Sequence, residues 1–195
     1  MAVATTKRFT IAEYHRLVEL GFFHEDDRTE LIRGVIIQMA AKSTAHTVCC
    51  SNLLEALARL LANRATLRCQ DPVTLPSGSE PEPDFTIVRQ RSDNYLSGHP
   101  APADILLVIE IAESSLDYDR DVKRSLYAEA NISDYWIFNL IDNCLETYSE
   151  PYQDLQSKFD YAVRRIILLS KTVTLPGFPE LQLNLSKTFP TPSPQ

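Results

Sequence analysis

The sequence predicts a fold of the α/β (α+β) class, a sheet flanked by helices with additional β-hairpins, and three observations carry that expectation. Asp104 to Ile111 (Asp-Ile-Leu-Leu-Val-Ile-Glu-Ile) is almost continuously apolar, as a strand buried on both faces must be. Two segments, Ser43 to Asn63 and the stretch from about Asp117 to Ala130, carry apolar residues at helical spacing. The second half of the chain alternates short apolar runs with turn residues, the pattern of hairpins. A chain of 195 residues fits one domain with a sizeable core. Residues 1–185 are therefore read as one domain, and 186–195, with three prolines and little to bury, as a flexible tail.

In chain order, Thr10 to Leu20 opens with a Thr-x-x-Glu capping box (Thr10, Glu13) and stops at Gly21, which predicts a short helix. Phe22 to Arg28 is a polar connection whose two phenylalanines look buried. Thr29 to Met39 reads as a hairpin turning at Arg33-Gly34. Within it Glu30 either faces solvent, by strand alternation against Leu31, or supplies an acidic group to a site. In the helix from Ser43, a stripe of His46, Cys50, Leu53, Leu57 and Leu60 or Leu61 faces the core. His46 at its start reads as a hydrogen-bonded core histidine, with a substrate-phosphate contact as the alternative.

Thr66 to Leu75 is extended and interrupted at Asp71-Pro72, and a Pro/Ser/Glu loop leads into Asp84 and the strand Phe85 to Val88. The polar loop from Arg89 to Pro102 reads as free to move. After the central strand, the helix carries Val122, Leu126 and Ala130 on its buried stripe and Asp119, Lys123 and Tyr127 on the neighbouring one. Asp134 to Leu140, Cys144 to Ser149, Phe159 to Val163, Ile166 to Leu169 and Val173 to Leu175 complete the strands.

Composition narrows the function classes. Nineteen Lys+Arg against 26 Asp+Glu give a net charge of −7, which argues against general avidity for nucleic acid but leaves a local basic groove open. Arg28, Arg33, Arg89 and Arg91 are the candidates for such a groove. No apolar run approaches membrane-spanning length, and the N-terminal residues carry no signal-like apolar core. Cys49, Cys50, Cys69 and Cys144 form no Cys-x-x-Cys pair, so neither zinc nor a disulfide framework is expected, and a reducing cytoplasm fits best. There is no His-Glu-x-x-His and no Gly-x-Ser-x-Gly, and the single Trp136 sits in a core strand rather than a sugar cleft.

Asp84 and Glu110 each place a carboxylate in an apolar run, which is costly unless a cation or strong donors satisfy it. Side chains on a helix point back toward its N-terminus, and Lys123 lies about 6–8 Å along the axis of the helix after Glu110, within reach of the strand end. Two carboxylates, a backbone carbonyl and water suit Mg²⁺ or Mn²⁺. The plainer reading makes Asp84 a turn residue and Glu110–Lys123 an ordinary salt bridge.

The chain resembles the Uma family of putative restriction endonucleases, long carried as a domain of unknown function, within the PD-(D/E)XK restriction-endonuclease-like nuclease superfamily. The resemblance rests on Thr-Glu-Leu-Ile-Arg-Gly (29–34), Ala-His (45–46), Glu-Pro-Asp-Phe (82–85), Val-Ile-Glu-Ile-Ala-Glu-Ser-Ser (108–115), Tyr-Asp-Arg-Asp-Val-Lys (118–123) and Asp-Tyr-Trp-Ile (134–137). It implies a mixed sheet flanked by helices, a homodimer, and Mg²⁺- or Mn²⁺-dependent cleavage of DNA. Asp84, Glu110 and the Ile111 carbonyl would be metal ligands, Lys123 the catalytic lysine and Glu30 an upstream catalytic acid, with Tyr127 completing a Lys-x-x-x-Tyr pair. Ala112 stands where the superfamily motif has its lysine, so that role passes to the helix. The alternative implied function is a nuclease fold kept, without catalysis, for binding DNA or a protein.

Overall fold

The computed structural model describes residues 5–24 and 27–190. Its centre is a six-stranded sheet in the order β3-β4-β5-β6-β7-β8. These strands are β3 (Thr66–Cys69), β4 (Phe85–Val88), β5 (Ile105–Ala112), β6 (Asp134–Asn139), β7 (Cys144–Gln153) and β8 (Phe159–Leu168). All neighbours are antiparallel except β5 and β6, which run parallel in the register Glu110↔Ile137. A parallel pair needs a crossover, and residues 116–129 provide it as a helical segment, α3. Two hairpins stand apart from the sheet: β1 (Thr29–Ile32) with β2 (Val35–Gln38), and β9 (Thr172–Leu175) with β10 (Phe178–Asn184). The mixed sheet, flanking helices and extra hairpins are those expected.

β5 is central, and both of its faces are covered. Leu107, Ile109 and Ile111 pack with Leu53, Leu57 and Leu61 of α2 (Thr44–Leu61) and with Leu181 and Leu183 of β10. Val108 and Ala112 point the other way, into a cluster with Leu126 and Tyr127 of α3 and Ile32 of β1. Strand alternation puts Glu110 on this second face. It is the face on which a crossover helix can deliver a side chain.

Local structure follows the sequence signals closely. α1 (Ile11–Glu19) is capped by the Thr10–Glu13 box, and Ser43 caps α2 by accepting the His46 N–H. The β1–β2 turn sets both Arg33 (φ 48°) and Gly34 (φ 77°) in left-handed conformation, the geometry of a tight two-residue hairpin. α3 holds a feature the periodicity does not announce. Between Leu116–Tyr118 and Arg124–Glu129, residues Asp119–Lys123 widen into a π-helical turn, closed by the Arg124 N–H on the Asp119 carbonyl.

Four expectations need correction. Phe22 is 68 % exposed, because α1 ends before that ring can turn inward. The loop 89–102 is anchored rather than loose: the Tyr95 ring is buried under the Arg91 guanidinium at 4.0 Å, and its hydroxyl donates to the Arg89 carbonyl at 2.8 Å. The two strand pieces drawn at 159–163 and 166–169 are one strand, β8. The tail is drawn too early, since Thr188 and Phe189 are buried and the Phe189 ring lies 5.2 Å from that of Phe138. Residues 191–195 of that tail lie outside the described residues. All four cysteines are free, and no helix among the described residues is long and apolar enough to cross a membrane.

Candidate active site

The antiparallel register of β4 and β5 pairs Phe85 with Ile109, which sets Asp84 opposite Glu110 at one end of the sheet. The two are laced together through the backbone. Asp84 Oδ2 accepts the Ile111 N–H at 2.9 Å, and Glu110 Oε2 faces the Asp84 N–H at 3.4 Å. α3 then brings Lys123 back over the strand end, as its position on the helix predicts, and Nζ donates to Glu110 Oε1 at 2.9 Å. The Tyr127 hydroxyl, one turn further, donates to the same oxygen at 2.8 Å. From the other side β1 contributes Glu30, whose Oε2 is 3.4 Å from Lys123 Nζ. The solvent-facing alternative for Glu30 is thus wrong: the residue is 1 % exposed, because β1 is covered on both faces although β2 is not.

All of these but Tyr127, which lies behind Glu110, line a cavity of about 290 Å³, floored by Asp84, Glu110 and Ile111 and walled by α3, the base of the β1–β2 hairpin and the start of α2. His46 also reaches it. Its Nε2 lies 3.0 Å from Asp84 Oδ2, and its buried Nδ1 has no partner. The core histidine of the sequence reading is therefore a neighbour of the site. Gln70 donates to Asp84 Oδ1 at 3.2 Å. Asp119, bonded by Ser115 Oγ at 2.6 Å, is a cavity-lining acid that motif reasoning did not single out. Its signal was present in the stripe it shares with Lys123 and Tyr127. Lys42, Ser43 and Tyr118 carry no such signal in the sequence. Of the four arginines considered for a basic groove, Arg28 lines the cavity. Arg33 is paired with Glu129 and Arg91 with Asp93.

The electrostatics follow from crowding acids in a dry place. Burial pushes the Glu110 carboxyl up to about 8, even against the nearby Lys123 charge. Burial likewise raises Asp119 to about 6. Asp84 is also buried, but the bond and charge of His46 and the Ile111 N–H outweigh that penalty and hold it below its ordinary value. For Lys123 burial disfavours the ammonium, and the surrounding Glu110, Glu30 and Asp119 more than reverse it, so its pKa stands well above normal. Among the described residues no group of three or more His, Cys, Asp or Glu is spaced to hold a metal ion unaided. A divalent cation on Asp84 and Glu110 would complete its shell with a backbone carbonyl and water. That is the ordinary provision for Mg²⁺, so the donor set fits.

A family model described as "Putative restriction endonuclease", Uma2, matches residues 11–186, nearly the whole chain. The chain belongs to the Uma2 family. No curated protein matches it. Among solved structures it is similar to one from Anabaena variabilis ATCC 29413, described as a putative nuclease belonging to DUF820. The two share 17 % identity with a TM-score of 0.67, over 93 % of this chain and 97 % of that one. At that identity the likeness concerns the fold. The Uma2 match spans every residue that lines the cavity, from Arg28 to Lys123.

Proposed function

We propose that this Uma2 protein is a divalent-cation-dependent endonuclease that hydrolyses DNA phosphodiester bonds in the Asp84–Glu110 cavity. One observation carries the reading. The cavity is lined by five carboxylates (Glu30, Asp84, Glu110, Glu113, Asp119) and three Lys or Arg side chains (Arg28, Lys42, Lys123), so a dication restores the balance. Buried acids in such excess are expensive unless a cation or protons join them.

Asp84, Glu110 and the Ile111 carbonyl would hold the cation, Mg²⁺ or Mn²⁺. When bound, it supplies Lewis acidity toward a phosphoryl oxygen and a more acidic water. His46 and the Ile111 N–H fix the Asp84 carboxylate, and Tyr127 fixes that of Glu110. The Lys123 ammonium orients the attacking water and offsets charge growing on the phosphoryl oxygens. Glu30 steadies that ammonium from the opposite side.

The test combines binding with turnover. Calorimetry should show Mn²⁺ binding to the wild type and none to Glu110→Ala. Supercoiled plasmid should be cut with Mn²⁺, and the rate should fall by about 10³-fold or more in folded Asp84→Ala and Lys123→Ala proteins. A second reading draws on a specific feature: Glu110 Oε1 already holds two donors, Lys123 and Tyr127, so the site is stable without a cation. That feature suits a non-catalytic module binding DNA or a protein. An absence of Mn²⁺ heat, with linear, supercoiled and single-stranded DNA all left intact, would favour it.

A further inference from the structure

Hydrolysis of a phosphodiester leaves a proton to be placed, because the attacking water must lose one as its oxygen bonds to phosphorus. Most acids of the cavity are already engaged. Asp84 holds Gln70 on one oxygen, and His46 and the Ile111 N–H on the other. Glu110 holds Lys123 and Tyr127 on one oxygen and faces the Asp84 N–H with the second. Glu30 has the Tyr118 hydroxyl and the Glu82 N–H at 3.3 Å each, beside Lys123. Glu113, bonded by Ser43, is half-exposed at the rim.

Asp119 differs. It is 2 % exposed, yet among the described residues its carboxylate takes one side-chain donor, Ser115 on Oδ2, and its Oδ1 has no hydrogen-bond partner. The π-helical turn adds a separate observation. It begins at Asp119 and ends at Lys123, and both residues line the cavity wall. Such turns are rare and occur frequently at functional sites.

We propose that Asp119 is the catalytic proton acceptor, taking a proton from the water that attacks phosphorus. The proposal rests on the hydrolytic reading above. The water oxygen forms its bond to phosphorus while one of its protons passes to the Asp119 carboxylate. The bond from phosphorus to the departing ester oxygen breaks, and its electron pair leaves with that oxygen, which is protonated by solvent. Asp119 then returns its proton to solvent, and one water is consumed. The groups facing Asp119 are Lys123 on its own segment, Ser115 just before it, Tyr118 beside it, Tyr135 of β6, whose hydroxyl donates to the Asp119 carbonyl, and Asp84, Glu30 and Glu110 from around the cavity.

Bis(p-nitrophenyl) phosphate with Mn²⁺ removes the question of which DNA is read. Asp119→Asn, which keeps an acceptor for Ser115, should bind Mn²⁺ within threefold of wild type while its rate falls about 10²–10⁴-fold. Ser115→Ala removes a bond that lowers the Asp119 pKa, so its plateau rate should hold while the acid limb of the pH–rate profile moves to higher pH. This second variant carries the test if Asp119→Asn does not fold. A rate for Asp119→Asn within threefold of wild type overturns the proposal and spares the hydrolytic reading. So does loss of Mn²⁺ binding in that variant, which would make Asp119 a ligand, or an unmoved acid limb in Ser115→Ala. A wild type that hydrolyses neither this ester nor DNA overturns both.

Discussion

Glu146 shows how single residues hold the cavity in shape from behind. Its side chain is fully buried on β7, and it accepts bonds from Arg120, Arg164 (2.8 Å), Asn139 (3.0 Å) and Tyr148 (2.6 Å). Arg120 belongs to the π-helical turn, so this carboxylate fastens the outer side of the turn whose inner side presents Asp119 and Lys123. Burial pushes its carboxyl up, but the bonds from Arg120, Tyr148 and Asn139 and the Arg164 charge leave it at about 2. A folded-state pKa below the unfolded one adds stability above about pH 4.3, and that stability is lost as pH falls through 2. Glu146→Gln should therefore melt lower at pH 7, losing about 3 kcal/mol, and should show a shallower fall in melting temperature between pH 4.5 and 2. Parallel pH profiles for the two proteins would refute this. Nothing in the sequence marks Glu146, because apart from Tyr148 on its own strand its partners come from three other stretches of chain, at Arg120, Asn139 and Arg164.

At the scale of elements, carboxylates set in apolar strands were legible and the bonding pattern inside a helix was not. Asp84 and Glu110 stand out because a strand interior rarely keeps an acid without cause, and their register follows once β4 and β5 pair. The stripe of Asp119, Lys123 and Tyr127 was also readable at i, i+4, i+8. The π-helical turn was not, since a shift from i+4 to i+5 bonding has no residue signature. Alternation alone left Glu30 open between solvent and site, because it assumes a hairpin with one wet face. The β1–β2 hairpin itself was marked by Gly34, and a close approach makes that residue necessary. A Cβ there would lie 2.7 Å from the Arg8 Cβ and 3.0 Å from the Phe9 carbonyl, at φ 77°. Gly34→Ala should cost about 1–3 kcal/mol, read as a lower urea midpoint, and by loosening the hairpin that carries Glu30 should also slow any turnover. An unchanged midpoint would mean that the hairpin can shift away from residues 8 and 9 without penalty.

The whole molecule closes through its C-terminal end, which composition concealed. Three prolines after Ser186 suggest a chain with nothing to bury, yet Phe189 seals the α2 face of the sheet against Phe138. Phe189→Ala should cost about 3–5 kcal/mol, visible as a drop in thermal midpoint, with Mn²⁺ binding retained in the protein that remains folded. A negligible change would restore the boundary of the domain to 185. The overall layering was legible because one strand, Asp104 to Ile111, is too apolar to sit anywhere but the middle. What sequence could not supply was the direction of its neighbour. The parallel pairing of β5 with β6, the one such pairing among the described strands, forces the polypeptide to leave the sheet, travel its length and return, and Asp119 and Lys123 ride on that excursion. In refolding, then, any turnover is a late reporter. It can appear no sooner than β6 has found its seat, so recovered activity dates the moment at which the longest-looped pairing at the sheet's centre is made.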